Sequence, residues 1–185
     1  MTEQEIQDSL EPVVTDKKEN TETVESFINK IITKQLSNED IPDDVCKEYL
    51  RCILGSKPFE LTLNLFEGDV KITFTEGQYR ITTKYQKVLD KINTHDPFIA
   101  AKLATIVYTK EVKVQNTVYS GLLDVKEEWL SADKSAEDIS ADIEEVYAQC
   151  FGALNESIHR FLPILWAGFN QLLTLLIKRG LPNSF

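Results

Sequence analysis

Two histidines and three cysteines are the side chains best suited to acid–base, nucleophilic or metal chemistry in this chain of 185 residues. Their spacing argues against each use. His95 and His159 both lack a second ligand one helical turn away, and a lone imidazole does not hold a metal. Asp96, which follows His95, is better used as a helix cap ahead of Pro97. His159 stands one turn before Pro163 and beside Arg160, which reads as a helix surface or a partner contact. A small enzyme would need the fold to gather polar groups around His95 or His159. Cys46, Cys52 and Cys150 make an odd count, so no closed disulfide framework is expected. The step from Cys46 to Cys52 is too long for a zinc ligand pair, and in an apolar helical pattern both read as small buried hydrophobes. No catalytic residue, metal or cofactor is expected.

Paired acids recur at Asp43/Asp44, Glu127/Glu128 and Glu144/Glu145. Adjacent side chains on a helix point about 100° apart, so these pairs form solvated faces and not carboxylate dyads. The glycine patterns that cradle phosphate or present a nucleophilic serine do not occur.

One feature does stand out. Phe161 to Ile177 is a run of 17 residues without a charge, preceded by Arg160 and followed by Lys178-Arg179. Three readings compete: a core helix, a partner-binding helix and a membrane span. The run falls short of the roughly 20 residues a span needs, and it contains Pro163, Asn170 and Gln171. Its broad apolar stripe, centred on Trp166, suits a core or a helix-in-groove contact. Phe161, Leu165, Trp166, Phe169 and Leu173 are the residues expected to meet a partner.

The elements that would position these residues follow from periodicity. Val24, Phe27, Ile28, Ile31, Ile32 and Leu36 mark one helix face. A second helix is expected over 43–54, with Val45, Tyr49, Leu50 and Ile53 inward and Gly55 closing it. Phe59, Leu61, Leu63 and Leu65 then alternate with polar residues up to a turn at Glu67-Gly68-Asp69. Val70, Ile72 and Phe74, or the opposite register, continue beyond it. Two period-2 runs about a glycine turn predict a β-hairpin near 59–74. A helix over 79–92 would offer Tyr79, Ile81, Tyr85, Val88, Leu89 and Ile92 for packing, and another starts at Pro97 and reaches about Val107. Residues 111–119 read as a short strand pair or one bent strand. A short helix is expected over 122–130, and a continuous helical stretch from about 139 to 177, kinked or divided at Pro163.

The expected fold is therefore α+β: a small antiparallel sheet flanked by helices, with a long kinked C-terminal helical segment. The expected division is a disordered acidic tail over 1–20, an α+β core domain over 21–130, a linker over 131–140 and a C-terminal helical region over 141–180. Net charge is −10, and residues 1–50 carry −8 of it with thirteen acids against five bases. Such a balance excludes a general nucleic-acid binder, which needs surplus cations to neutralise phosphate. The polar, acidic N-terminus has no apolar run of the secretory kind, so a reducing cytoplasm is expected.

The order of elements carries a resemblance. Lys57-Pro58-Phe59-Glu60 opens the hairpin that turns at Gly68, and Val70 to Phe74 follows. A helix leads to Asp96-Pro97 and to Leu103 through Tyr108. A valine-rich extended stretch ends at Ser120-Gly121. Glu127-Glu128-Trp129-Leu130 and a long helix with Tyr147 and Phe151 complete it. Over roughly residues 55–177 this resembles the tail assembly chaperones and baseplate-hub assembly proteins of long-tailed bacteriophages. The resemblance implies a non-enzymatic protein of the host cytoplasm, or one retained in the virion tail. It would bind tail components such as the tape-measure protein or hub proteins, and it is compatible with a homo-oligomer. The alternative is a membrane-associated regulatory protein anchored by its C-terminal apolar helix.

Overall fold

The computed structural model describes residues 29–30, 33, 36–92 and 96–180. The tail over 1–20, most of the helix face between Val24 and Ile32, and His95 lie outside the described residues.

Helix α1 spans Asp43–Leu54, with Asp43 and Asp44 in its first turn. Its last turn is closed by the Gly55 N–H, which donates to the Arg51 carbonyl at 2.9 Å. The left-handed residue after the helix is Ser56 (φ 51°) and not the glycine. The rotation of α1 differs from the periodicity reading. Tyr49 is buried, but Leu50 and Ile53 are 54% and 55% exposed. Tyr49 sets its ring edge against Phe59, with centroids 5.4 Å apart; Val45 packs against the core as expected, and Cys46 and Cys52 join it in place of Leu50 and Ile53.

Strands β1 (Glu60–Leu65) and β2 (Val70–Thr75) form the expected hairpin. Phe66, Glu67 and Gly68 all adopt positive φ in the turn, which only Gly68 does without steric cost. Helix α2 (Tyr79–Lys91) and helix α3 (Pro97–Tyr108) follow. Tyr79 is 88% exposed, so it does not take the packing role expected of it. The Asp96 carboxylate accepts the Phe98 N–H at 2.9 Å, as a cap ahead of Pro97 should. Helix α3 runs directly into β3 (Thr109–Val114), and β4 (Thr117–Tyr119) returns beside it. Residues 111–119 are thus a strand pair.

The sheet is antiparallel throughout, in the order β1-β2-β3-β4. Ile72 is in register with both Leu63 and Val112, and all three face the core. The odd-numbered positions of β1 point inward, while Glu60, Thr62 and Asn64 are exposed. One buried and one solvated face is the alternation expected of such a sheet. The chain is α+β, with a long C-terminal helix.

Two helices complete it. Only Glu127–Leu130 of the stretch 122–130 is helical, as a 3₁₀ turn that buries Trp129. Helix α4 (Ala136–Phe151) begins inside the expected linker, because the Ser135 hydroxyl accepts the Asp138 N–H at 3.2 Å and caps it. Helix α5 spans Glu156–Gly180. The division between α4 and α5 falls at 152–155 and not at Pro163. Asn155 accepts the Ser157 N–H at 2.8 Å on its side-chain oxygen and starts the new helix. Pro163 removes the donor for the His159 carbonyl, but buried Ile158, Leu162 and Leu165 on either side hold the helix together.

Two cores result. One joins α1, the inner sheet face and α5, through Phe59, Phe74, Leu162 and Phe169 among others. The other joins α2, α3, Trp129 and α4, through Leu103, Ile106, Ile139 and Ile143. Tyr147, Cys150 and Trp166 pack against both, so the seam between the cores runs along α4 and α5.

Candidate partner-binding cleft

Helix α5 carries the residues expected to meet a partner, and the structure divides them. Leu165 and Phe169 lie on the stripe Ile158, Leu162, Leu165, Phe169, Leu172, Leu176, which is 0–8% exposed. Its alternating steps of four and three put it on one narrow face. Phe169 stacks on Phe74 and on Phe59, with centroids at 5.6 and 6.1 Å. Leu165 is therefore a core residue, and the body of Phe169 belongs to the core as well. Phe161 lies on a different flank and meets the exposed Phe66 of the hairpin turn at 6.4 Å. Trp166 and Leu173 belong to a third face, with Asn170 and Ile177, about a quarter turn from the core stripe at 100° per residue.

That third face lines a cleft of about 360 Å³. The opposite wall is Tyr85 and Gln86 of α2, Tyr108 at the end of α3, and the segment Thr75-Glu76-Gly77. Three rings run along it. Tyr108 stacks on Trp166 with centroids 5.9 Å apart, and Tyr85 meets Tyr108 edge to face at 5.1 Å. Such pairs add to simple area burial and hold the rings in place. Burial, with Tyr108 adjacent, pushes the Tyr85 phenol up to about 12. The Tyr108 phenol is raised too, mainly by burial, against the lowering effect of its hydrogen bond to Thr82. Both phenols keep their protons at physiological pH, and the Tyr108 O–H donates to Thr82 Oγ1 at 3.4 Å.

Gly77 sets the width of this wall. A Cβ at Gly77 would lie 2.7 Å from both Thr82 Oγ1 and Tyr108 Cε1. Only glycine lets the turn after β2 approach Tyr108 this closely. Neither Gly77 nor the tyrosine row was among the residues expected to matter. Tyr85, Tyr108 and Trp166 come from three helices far apart in the chain, so no local spacing reveals the row.

A second groove, about 600 Å³, borders the first two turns of α5. Here burial, then Glu156, pushes the Tyr147 phenol up to about 12, so it keeps its proton, and its oxygen is hydrogen-bonded to His159 Nδ1 at 2.6 Å. The Lys102 ammonium stands 5.6 Å from the Tyr147 ring centre and 3.6 Å from Glu144. Arg160 pairs with Glu156 at 3.6 Å. Each charge thus has a partner within the groove. His159 is tied to a phenol whose raised pKa makes it a poor nucleophile. The arrangement fastens α4 to α5.

Cys46 and Cys52 are half-buried, and an Arg179 N–H donates to Cys46 Sγ at 2.9 Å. Among the described residues no group of three or more His, Cys, Asp and Glu is placed to hold a metal. Helix α5 is long and apolar enough to cross a membrane by length and composition, with 33% of its most apolar window buried. Comparison with protein-family models, with curated proteins and with solved structures gives no match.

Proposed function

We propose that this protein is a non-enzymatic assembly factor of a phage tail or baseplate, which binds tail components such as the tape-measure protein through the cleft beside α5. One observation carries the reading. Helix α5 spends one stripe on the core and leaves a second, Trp166 and Leu173, along an open cleft with an aromatic wall. An apolar floor with amide and hydroxyl groups at its rim fits an inserted apolar side chain of a helical or extended client. Trp and Tyr are the residue types that dominate such contacts. The phage assignment rests on the resemblance in element order over residues 55–177. The host cytoplasm, or the finished tail, is the location that goes with it.

A membrane anchor is the less favoured reading. Inserting α5 would draw Leu162, Leu165, Phe169, Leu172 and Leu176 out of the core, where each is at most 4% exposed. The side chains they cover, Phe59 and Phe74 among them, would then face water, at roughly 1.5–3 kcal/mol for each. The test is capture of the tagged full-length chain from infected cells. Tail proteins should be recovered, and a Leu173→Glu chain that folds normally should lose them. Recovery of host enzymes or nucleic acid alone would overturn the proposal. Co-sedimentation of the full chain with membranes would favour the anchor.

A further inference from the structure

The two edges of the sheet differ. β4 is only three residues long, and a short edge resists further pairing. β1 has six residues, and among the described residues no strand pairs with its outer side. Within β1 there is no proline or lysine, its one charged residue, Glu60, is exposed, and its register with β2 runs without a bulge. The devices that usually guard an edge are thus missing from it. We propose that β1 pairs antiparallel with β1 of a second copy of this chain, about a two-fold axis at Thr62, and joins the two sheets into one.

The first argument is which backbone groups face outward. In an antiparallel ladder, pairs that exchange both hydrogen bonds alternate with pairs that exchange none. The Glu76 N–H donates to the Phe59 carbonyl at 2.7 Å, so the residues of β1 that bond to β2 are Leu61, Leu63 and Leu65. The Gln115 N–H donates to the Asp69 carbonyl at 2.9 Å, so Lys71 and Thr73, opposite Asn64 and Thr62, bond to β3 instead. The N–H and C=O groups of Glu60, Thr62 and Asn64 therefore point to the free edge. An axis at Thr62 sets Thr62 opposite its own copy and Glu60 opposite Asn64 of the second copy, and every outward donor meets an outward acceptor. An axis one residue earlier sets Asn64 against Pro58, which has no N–H. One residue later, it sets Glu60 against Phe66 in the turn.

The second argument is the side chains. The two-residue period keeps like faces together, so Leu61 lies opposite Leu63 of the second copy on the inner face. Leu61 is half-buried at the margin of the core, and the added strand covers it. On the outer face Glu60 meets Asn64, and no like charges stand opposed. Within one chain Glu60 reaches Lys110 at 2.7 Å with β2 between their strands. Lys71 of the second copy, beyond Asn64, also lies one intervening strand from Glu60.

Sedimentation velocity of the full-length chain tests this. A dimer should form as the concentration rises to about 100 μM. Thr62→Pro removes the N–H at the axis and spares the bonds between β1 and β2, because that N–H points away from β2. Leu61→Lys places a charge on the face that the second copy covers. Each should weaken the dimer at least about tenfold with unchanged circular dichroism, and Thr62→Val should leave it intact. Should a variant misfold, hydrogen exchange of the unmodified chain decides. Amides of Glu60, Thr62 and Asn64 should exchange at least about tenfold more slowly at high concentration than at low. A monomer at about 100 μM, a dimer that survives Leu61→Lys, or growth beyond the dimer would overturn the proposal. So would a monomer in which those three amides are already protected, since the edge would then be covered within the chain.

Discussion

Two faces of α5 differ by a quarter turn and have different roles. On one face, Leu162, Leu165, Phe169 and Leu172 are at most 1% exposed. On the other, Trp166 and Leu173 keep part of their surface open along a cleft. Trp166 and Leu173 are as apolar as the core residues, so side-chain hydrophobicity does not by itself say which of them is buried. What separates them is the partner each meets. The core stripe faces a sheet whose inward side chains fill the space completely, with Phe59 and Phe74 stacked on Phe169. The cleft stripe faces a helix end and a turn, and these approach without closing the gap. An uncharged helix can therefore serve stability and recognition together, provided its neighbours are of unequal shape.

This contrast can be broken from the core side first. Phe169→Ala should cost about 3–5 kcal/mol, the usual range for emptying a packed aromatic site. Chemical denaturation measures it, and any loss of binding should track the unfolded fraction. A smaller effect is expected at the pin of the second core. The fully buried Trp129 donates its indole N–H to Asp142 at 2.6 Å. Asp142→Ala should leave that donor unpaired and cost about 1–3 kcal/mol.

The same pin has a pH signature. Burial works to raise the Asp142 pKa, but the Trp129 bond, with Lys126 and Lys134 nearby, outweighs it and holds the carboxyl below its ordinary value. A depressed folded pKa stabilises above the ordinary carboxylate range, and the contribution is lost as pH falls through the folded value. Asp142→Asn should flatten part of the acid limb in a plot of stability against pH. An unchanged acid limb would count against the pin.

Smaller still is Tyr147→Phe, which removes the bond to His159 and should cost about 0.5–1.5 kcal/mol. Thermal unfolding detects it, and client binding should be unaffected. Smallest in stability, and largest in the difference between the two faces, is Leu173→Ser. Its stability change should stay within about 1 kcal/mol, as for a partly exposed site. Client binding should fall at least about tenfold, the level set by losing roughly 1.4 kcal/mol at a recognition contact. Titration against an isolated client segment measures it. Equal losses of binding from Leu173→Ser and Tyr147→Phe would erase the distinction between cleft and groove.

Much of the fold was legible because local chemistry speaks through short spacings. The hairpin followed from alternation about Gly68, and the start of α3 from Asp96-Pro97. Helix rotation was less legible. The 43–54 pattern allows more than one inward face, and only the Tyr49–Phe59 contact selects the one that exposes Leu50 and Ile53. Pro163 looked like the place to divide the C-terminal helix. A helix whose apolar stripe is buried on both sides of the proline tolerates one missing donor, so the division fell at Asn155, which caps. Of the candidate site, the helix was legible and its faces were not. Phe161, Leu165, Trp166, Phe169 and Leu173 read as one stripe, and the fold distributes them over three environments.

By itself the amino-acid sequence determined the kinds of element, their order, the solvated outer face of the hairpin and an uncharged helix near the C-terminus. Periodicity and capping act within a few residues, so they are written locally. The tertiary structure alone decided which stripe of that helix is core, that Gly77 admits Tyr108, and that Tyr85, Tyr108 and Trp166 form one wall. Those outcomes depend on how closely elements distant in the chain approach, and close packing settles that for the whole molecule at once.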